Sequence, residues 1–178
     1  MPALITPDVR LKASFLAAMA EFAAEGRAGD GSGIGRDLEQ WSGRWESDEG
    51  FAAYVAEKVA ERESVVDQDW VLNTNLWWVE GEEYLGRMSI RHELNDWLRE
   101  VGGHIGYDVR RSRRREGHAT AMLREALAIA HDLGIECALL TCDEDNVASR
   151  IVIERNGGVL EDVRNGKLRY WVPTVPVG

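Results

Sequence analysis

The chain has 178 residues, 44% of them apolar and 29% charged, with 18 Gly and 4 Pro. That fits one globular domain, expected to span 1–178, and excludes a fibrous or low-complexity protein. No run of about 18 apolar residues could cross a membrane, and the net charge of −10 argues against a nucleic-acid binder.

The opening segment MPALITPDVR lacks a basic stretch followed by an apolar core, so no signal peptide is read there. Residues 9–25 place alanine and leucine at helical spacing and end at Gly26. The next twenty residues carry glycine at 26, 29, 31, 33, 35 and 43 and read as an irregular connection, a candidate lid. Within it Trp41 and Trp45 could wall an acceptor pocket and hold a cation over a ring. A second helix is expected from Asp48 to Glu63, capped by Ser47, with Asp48 and Glu49 in its first turn.

From Trp70 the period changes to that of strands. Residues 70–80 and 83–93 read as a hairpin around Gly81, with the adjacent Trp77 and Trp78 on opposite faces. A third strand spans 102–109. A helix from Gly117 to Leu133 follows, with an apolar stripe through Met122, Leu123, Ala126, Leu127 and Ala130. CALLTC (137–142) is a short buried strand, Asn146–Arg155 a short helix, and 159–164 and 167–172 a final hairpin turning at Asn165-Gly166. The expected order is α-α-β-β-β-α-β-α-β-β, a mixed α/β (α+β) fold. The last strands, if exposed, could pair two copies into a homodimer. Cys137 and Cys142 form neither a disulfide framework nor a metal motif, so no metal is expected and a reduced, cytoplasmic setting is.

Residues 108–122, DVRRSRRREGHATAM, carry the chemistry. A strand ends, a polar loop follows, and a helix begins at a glycine. This leaves backbone N–H groups unpaired where the helix dipole favours an anion. Gly117 allows close approach, Ala119 keeps the first turn open, and five arginines in 110–115 add positive potential. The cradle lacks the Lys-Ser/Thr ending of a P-loop, so it suits a pyrophosphate without implying a magnesium nucleotide.

The pattern R-x-x-G-x-A at Arg114, Gly117 and Ala119, between the strand IGYDV and an amphipathic helix, resembles the signature of the GNAT acetyltransferase superfamily. The likeness continues through LGIECALLTCDEDNVASRIVIERNGG, with Asn146-x-x-Ser149. It covers 102–160, and the hairpin at 70–92 suits the family's early strands. The resemblance implies a central, mostly antiparallel mixed sheet with helices on both faces. It also implies acetyl-CoA as co-substrate and an amine as acceptor. Tyr107, Asp108, Val109 and Arg110 should run beside the pantetheine arm. Arg114, Arg115, Glu116, Gly117, His118, Ala119 and Thr120 should turn N–H groups to the pyrophosphate, and Asn146 should lie near the thioester. The arm should enter a gap between strands 102–109 and 137–142.

Many members supply the acid for the leaving thiolate from a tyrosine seven residues after that asparagine. Here the residue is Ile153, so Ser149 or Tyr170 is the expected substitute. For the base, His104 shares a strand face with Gly106 and Asp108, and His92 and Glu93 end the preceding strand. The acidic first part, with 20 Asp+Glu against 10 Lys+Arg in 1–100, points to a small cationic amine. The alternatives are a non-catalytic acyl-CoA sensor and a modifier of protein amines.

Overall fold

A computed structural model describes residues 1–175. A short first strand β1 (Ala3–Ile5) precedes three helices, α1 (Lys12–Ala24), α2 (Gly33–Trp41) and α3 (Asp48–Ala60). Strands β2 (Asn73–Glu80), β3 (Glu83–Arg91) and β4 (Ile105–Val109) follow, then α4 (His118–Asp132), β5 (Cys137–Asp143), α5 (Val147–Arg155), β6 (Val159–Arg164) and β7 (Lys167–Pro173). All the expected elements are present. Two more, β1 and α2, were not foreseen, and a π-turn at Leu98–Gly102 shortens the third strand's start.

The helix α2 forms inside the glycine-rich segment. Ser32 caps it by accepting the Gly35 N–H at 3.0 Å, and Ile34, Leu38 and Trp41 then fall on one buried stripe. Glycine conceals this pattern because each costs about 1 kcal/mol of helix propensity. Packing overrides that cost.

The strands form two antiparallel sheets, ordered β1-β2-β3-β4 and β5-β7-β6. Two cores separate across the first sheet. Leu85, Met88 and Ile90 of β3 and Trp78 of β2 pack with Met122, Leu123 and Ala126 of α4. Trp77 goes to the other face, where Phe15 stacks on it at 5.0 Å and Trp45, Phe51 and Tyr54 close around. Trp41 and Trp45 are buried in this second core. They are packing residues and do not wall an acceptor pocket. No helix among the described residues is long and apolar enough to cross a membrane.

β4 and β5 do not pair as strands. They are tied just before β4 begins, where Gly103 lies against the Leu139 carbonyl: a Cβ there would sit 2.5 Å from that oxygen. Its φ of +65° is a second reason for glycine. The His104 N–H then donates to Leu139 C=O at 2.7 Å. Beyond this contact the sheets part, and the gap expected between these strands is present.

Candidate functional site

The loop before α4 follows directly on β4, the strand that borders the gap. Gly117 is the residue before the helix, with φ +83° and open space where a Cβ would stand. No side chain among the described residues caps the start of α4. The N–H groups of Arg115 through Thr120 have no hydrogen-bond partner among the described residues. Arg115, at φ +66°, and Gly117 both hold the left-handed conformation, so the loop turns successive N–H groups outward. Ala119 and Thr120 complete the first turn.

The arginines behave differently from the sequence expectation. Arg110 donates twice to Glu21, through Nε at 3.0 Å and Nη2 at 2.5 Å, and Arg114 forks onto Glu25 at 2.5 and 2.9 Å. Arg113 bonds Glu83 and Glu116. These side chains tie the loop to α1 and β3 and are largely neutralised there. Arg111 and Arg115 have no ion-pair partner among the described residues. Main-chain groups are also in use: the Arg114 N–H donates to Arg111 at 3.3 Å and the Arg110 N–H to Leu85 at 2.9 Å. The expected N–H contacts from Arg110 and Arg114 are therefore corrected, because both groups are already bonded.

Because Arg110 N–H points to β3, alternation along an antiparallel strand sends the main-chain groups of Asp108 the same way. Those of Tyr107 and Val109 face the gap. Asp108 is thus corrected as a main-chain contact in the gap. Its carboxylate accepts from Arg27 at 2.9 Å, on the helical face of the sheet. His118 is buried: Trp78 Nε1–H donates to its Nδ1 at 3.2 Å, which leaves the proton on Nε2, facing Glu116 at 3.2 Å. The ring anchors the loop, and its main-chain N–H remains free.

Across the gap, the Tyr107 hydroxyl lies 2.7 Å from Ser149 Oγ. Burial raises the Tyr107 phenol well above its ordinary range, so it stays protonated. Asn146 caps α5 by accepting the Ser149 N–H at 3.1 Å. Ile153 is fully buried in the α4 core, and Tyr170 donates to Glu154 at 2.8 Å, with burial pushing its pKa up to about 12. The Tyr107–Ser149 pair was not anticipated. Its signal was a tyrosine on the gap strand opposite a serine on the facing helix.

On the opposite face of β2 and β3 lies a cleft of about 410 Å³. It is lined by α2 (Arg36, Asp37), α3 and its C-terminal cap (Lys58, Glu61) and the sheet (Asn75, Arg87, Arg91). Neither His92, Glu93 nor His104 borders it. Glu93 is exposed, and His92 meets the Thr74 hydroxyl at 2.7 Å, its pKa lowered by burial. His104 Nδ1 accepts the Leu139 N–H at 2.9 Å. The imidazole thus stands in for a backbone carbonyl and fastens the two sheets. Burial, with Arg91 and Arg99 nearby, lowers its pKa to about 4.

A consequence is measurable. The folded pKa of about 4 lies below the unfolded value of 6.5, so the unfolded state binds the extra proton. Stability should be full above pH 6.5 and fall by up to about 3 kcal/mol as pH drops through 4. His104→Phe, which cannot accept the Leu139 N–H, should lose roughly 1–3 kcal/mol at pH 7 and flatten that acid limb. Urea unfolding at pH 7.5 and pH 4.5 checks both.

The family model of the acetyltransferase (GNAT) domain matches residues 34–159. No protein of curated function matches the chain in sequence. Solved structures resemble its fold. RimJ of Mycobacterium smegmatis, in complex with CoA-disulfide, superposes with a TM-score of 0.67 at 17% identity, covering 97% of this chain and 81% of that one. The microcin C7 self-immunity acetyltransferase MccE, with acetyl-CoA and AMP, gives 0.63 at 14% identity, covering 97% and 92%. An acetyl transferase from Salmonella typhimurium that modifies the N-terminal serine of a 50S ribosomal subunit protein gives 0.59 at 18%, covering 97% and 94%.

Proposed function

The chain belongs to the GNAT acetyltransferase family and is an acetyl-CoA-dependent N-acetyltransferase; from that premise we propose that it acetylates a small amine held in the cleft beside α2. The observation that carries the reading is the row of unpartnered N–H groups at Arg115–Thr120, beside the gap between β4 and β5. Both features suit CoA: the N–H row receives a pyrophosphate, and the main-chain groups of Tyr107 and the Val109 N–H pair with the amides of an extended arm, the Val109 carbonyl being taken by Arg114 Nε at 2.9 Å. Bound there, acetyl-CoA supplies the thioester carbon that the amine attacks.

The chain's own groups divide the work. Arg115, Glu116, Gly117, His118, Ala119 and Thr120 bind through the main chain, while Arg110, Arg113 and Arg114 hold their loop against α1 and β3. Asn146 positions Ser149 by capping α5. Tyr107 and Ser149 form a protonated hydroxyl pair that delivers a proton to the departing thiolate. His104 keeps the gap anchored at its base and takes no part in proton removal. The acceptor ammonium instead loses its proton through water in the open cleft, beside Asp67 and Asp69, which carry no cation partner among the described residues.

The cleft volume supports a small acceptor over a folded protein surface, since pockets of roughly 300–1,000 Å³ suit small molecules. Its lining holds four cations and five carboxylates, so the acidic surplus of the first hundred residues does not by itself select a net-cationic amine.

Calorimetric titration with acetyl-CoA, CoA and ATP tests the site: saturable binding of the first two with ATP weaker supports it, and no binding by folded protein refutes it. Tyr107→Phe should keep acetyl-CoA affinity within about twofold and lower kcat roughly 10-fold or more. Thiol release under saturating acetyl-CoA measures this, and an unchanged kcat would remove the hydroxyl pair from the chemistry.

A further inference from the structure

Most charges in the cleft are matched by the protein itself. Arg87 has Asp37 at 3.0 Å and Asp108 at 3.7 Å, and Lys58 has Asp37 at 3.2 Å and Glu61 at 2.9 Å. Arg91 is different. Its Nη1 donates to the carbonyls of Gly102 at 3.2 Å and Gly103 at 3.4 Å, but it has no carboxylate partner among the described residues. Its Nε is buried with no hydrogen-bond partner among the described residues. Burial, with Arg87 and Arg36 nearby, brings the Arg91 pKa down to about 10. A buried guanidinium left in this state is costly unless an anion completes it.

Arg36 is the second such cation. It donates to the Gly31 carbonyl at 2.8 Å and lies 6.0 Å from the Trp70 ring centroid, again without a carboxylate among the described residues. Both arginines line the cleft. The Arg91 guanidinium lies over Gly106 of β4, where a Cβ would be 3.3 Å from both Nη atoms. It therefore reaches the strand whose next residues border the gap. A group held by Arg91 is held close to the place where an acyl carbon would be attacked.

We propose that the acceptor is an amine bearing a carboxylate a few atoms away, an amino acid in its zwitterionic form, with the carboxylate received by Arg91 and Arg36. A planar carboxylate matches the forked donors of a guanidinium. The ammonium end meets Asp67 and Asp69. With five carboxylates against four cations around it, the cleft suits one negative charge better than a phosphate dianion. This inference rests on the acetyltransferase reading and adds the substrate class.

The test follows thiol release at saturating acetyl-CoA for a panel of free amino acids and for the carboxamide of each. Calorimetry with acetyl-CoA is run first on every protein sample. The acids are expected to exceed their amides at least 10-fold in kcat/KM. Arg91→Gln should raise KM for the acids about 10-fold or more relative to that for the amides, and so erase the preference. Arg36→Gln, on an exposed helix face, should act in the same direction, and its folding does not depend on a buried site. Failure to bind acetyl-CoA would overturn the acetyltransferase site. Binding with equal use of acids and amides, or with no acid turned over, would overturn the carboxylate assignment alone.

Discussion

Replacing Gly117 by glutamate is expected to abolish measurable acetyl-CoA binding, a loss of at least about 100-fold, while the protein stays folded. Two effects combine. At φ +83° any side chain carries a left-handed strain of about 1 kcal/mol, the difference that glycine removes. The larger effect is charge. Beyond its chain neighbours, no atom of the described residues lies within 4 Å of the Cβ position, so the new carboxylate extends freely into the space above the N–H groups of 115–120. It would both occupy the cradle and repel the pyrophosphate. Gly117→Ala separates the terms: it keeps the strain without the charge and should weaken binding only severalfold. Titration of both variants, with thermal melts as a folding control, decides the matter. Wild-type affinity in the glutamate variant would mean that this loop does not hold the cofactor.

The second large effect is on stability. Asp37 is buried on α2 and accepts from Tyr54 Oη at 2.8 Å, Arg87 Nη1 at 3.0 Å and Lys58 Nζ at 3.2 Å. Removing it strands Arg87 inside the protein with only Asp108, at 3.7 Å, as a counter-ion. Burial raises Tyr54 well above its ordinary pKa, so its hydroxyl stays a donor and cannot offset the loss by ionising. Asp37→Ala should therefore cost about 3–5 kcal/mol, as expected for a buried pair broken on one side. For a chain of this size that lowers Tm by roughly 10 °C. Asp37→Asn keeps an acceptor and the shape, and should cost less. Urea midpoints for the two variants test the ranking, and an alanine variant as stable as wild type would show that Arg87 needs no anion.

Much of this was legible in the sequence because it rests on local signals. The strand, loop and glycine-headed helix from Ile105 to Asp132 can be read from period and punctuation, as can the opposed faces of Trp77 and Trp78. What escaped depends on partners far along the chain. The arginine run reads as free positive potential until Glu21 of α1 and Glu25 at its C-terminal cap are seen one turn apart, presenting two carboxylates to Arg110 and Arg114. That i, i+4 spacing was a usable signal. His104 reads as a base from its residue type, yet its ring faces the Leu139 N–H, and no sequence pattern announces a side chain that replaces a ladder bond. The helix α2 was hidden by its glycines, although Ser32 with Ile34, Leu38 and Trp41 spells a cap and a stripe. Tyr107 was valued for its main chain alone, because the residue facing its hydroxyl lies 42 positions away.

The parting of β4 from β5 bears on how such a protein stays soluble. Strand borders with unsatisfied amides ordinarily invite a neighbouring polypeptide, the route by which sheets stack into insoluble fibres. Here the border lies between two sheets of one molecule and is closed at the His104–Leu139 end, so its free groups face β5 and not open solvent. Under the proposed function, that recess turns an aggregation hazard into a grip. Empty protein should exchange the Tyr107 and Val109 amides with heavy water quickly, and acetyl-CoA should slow them as a missing strand would.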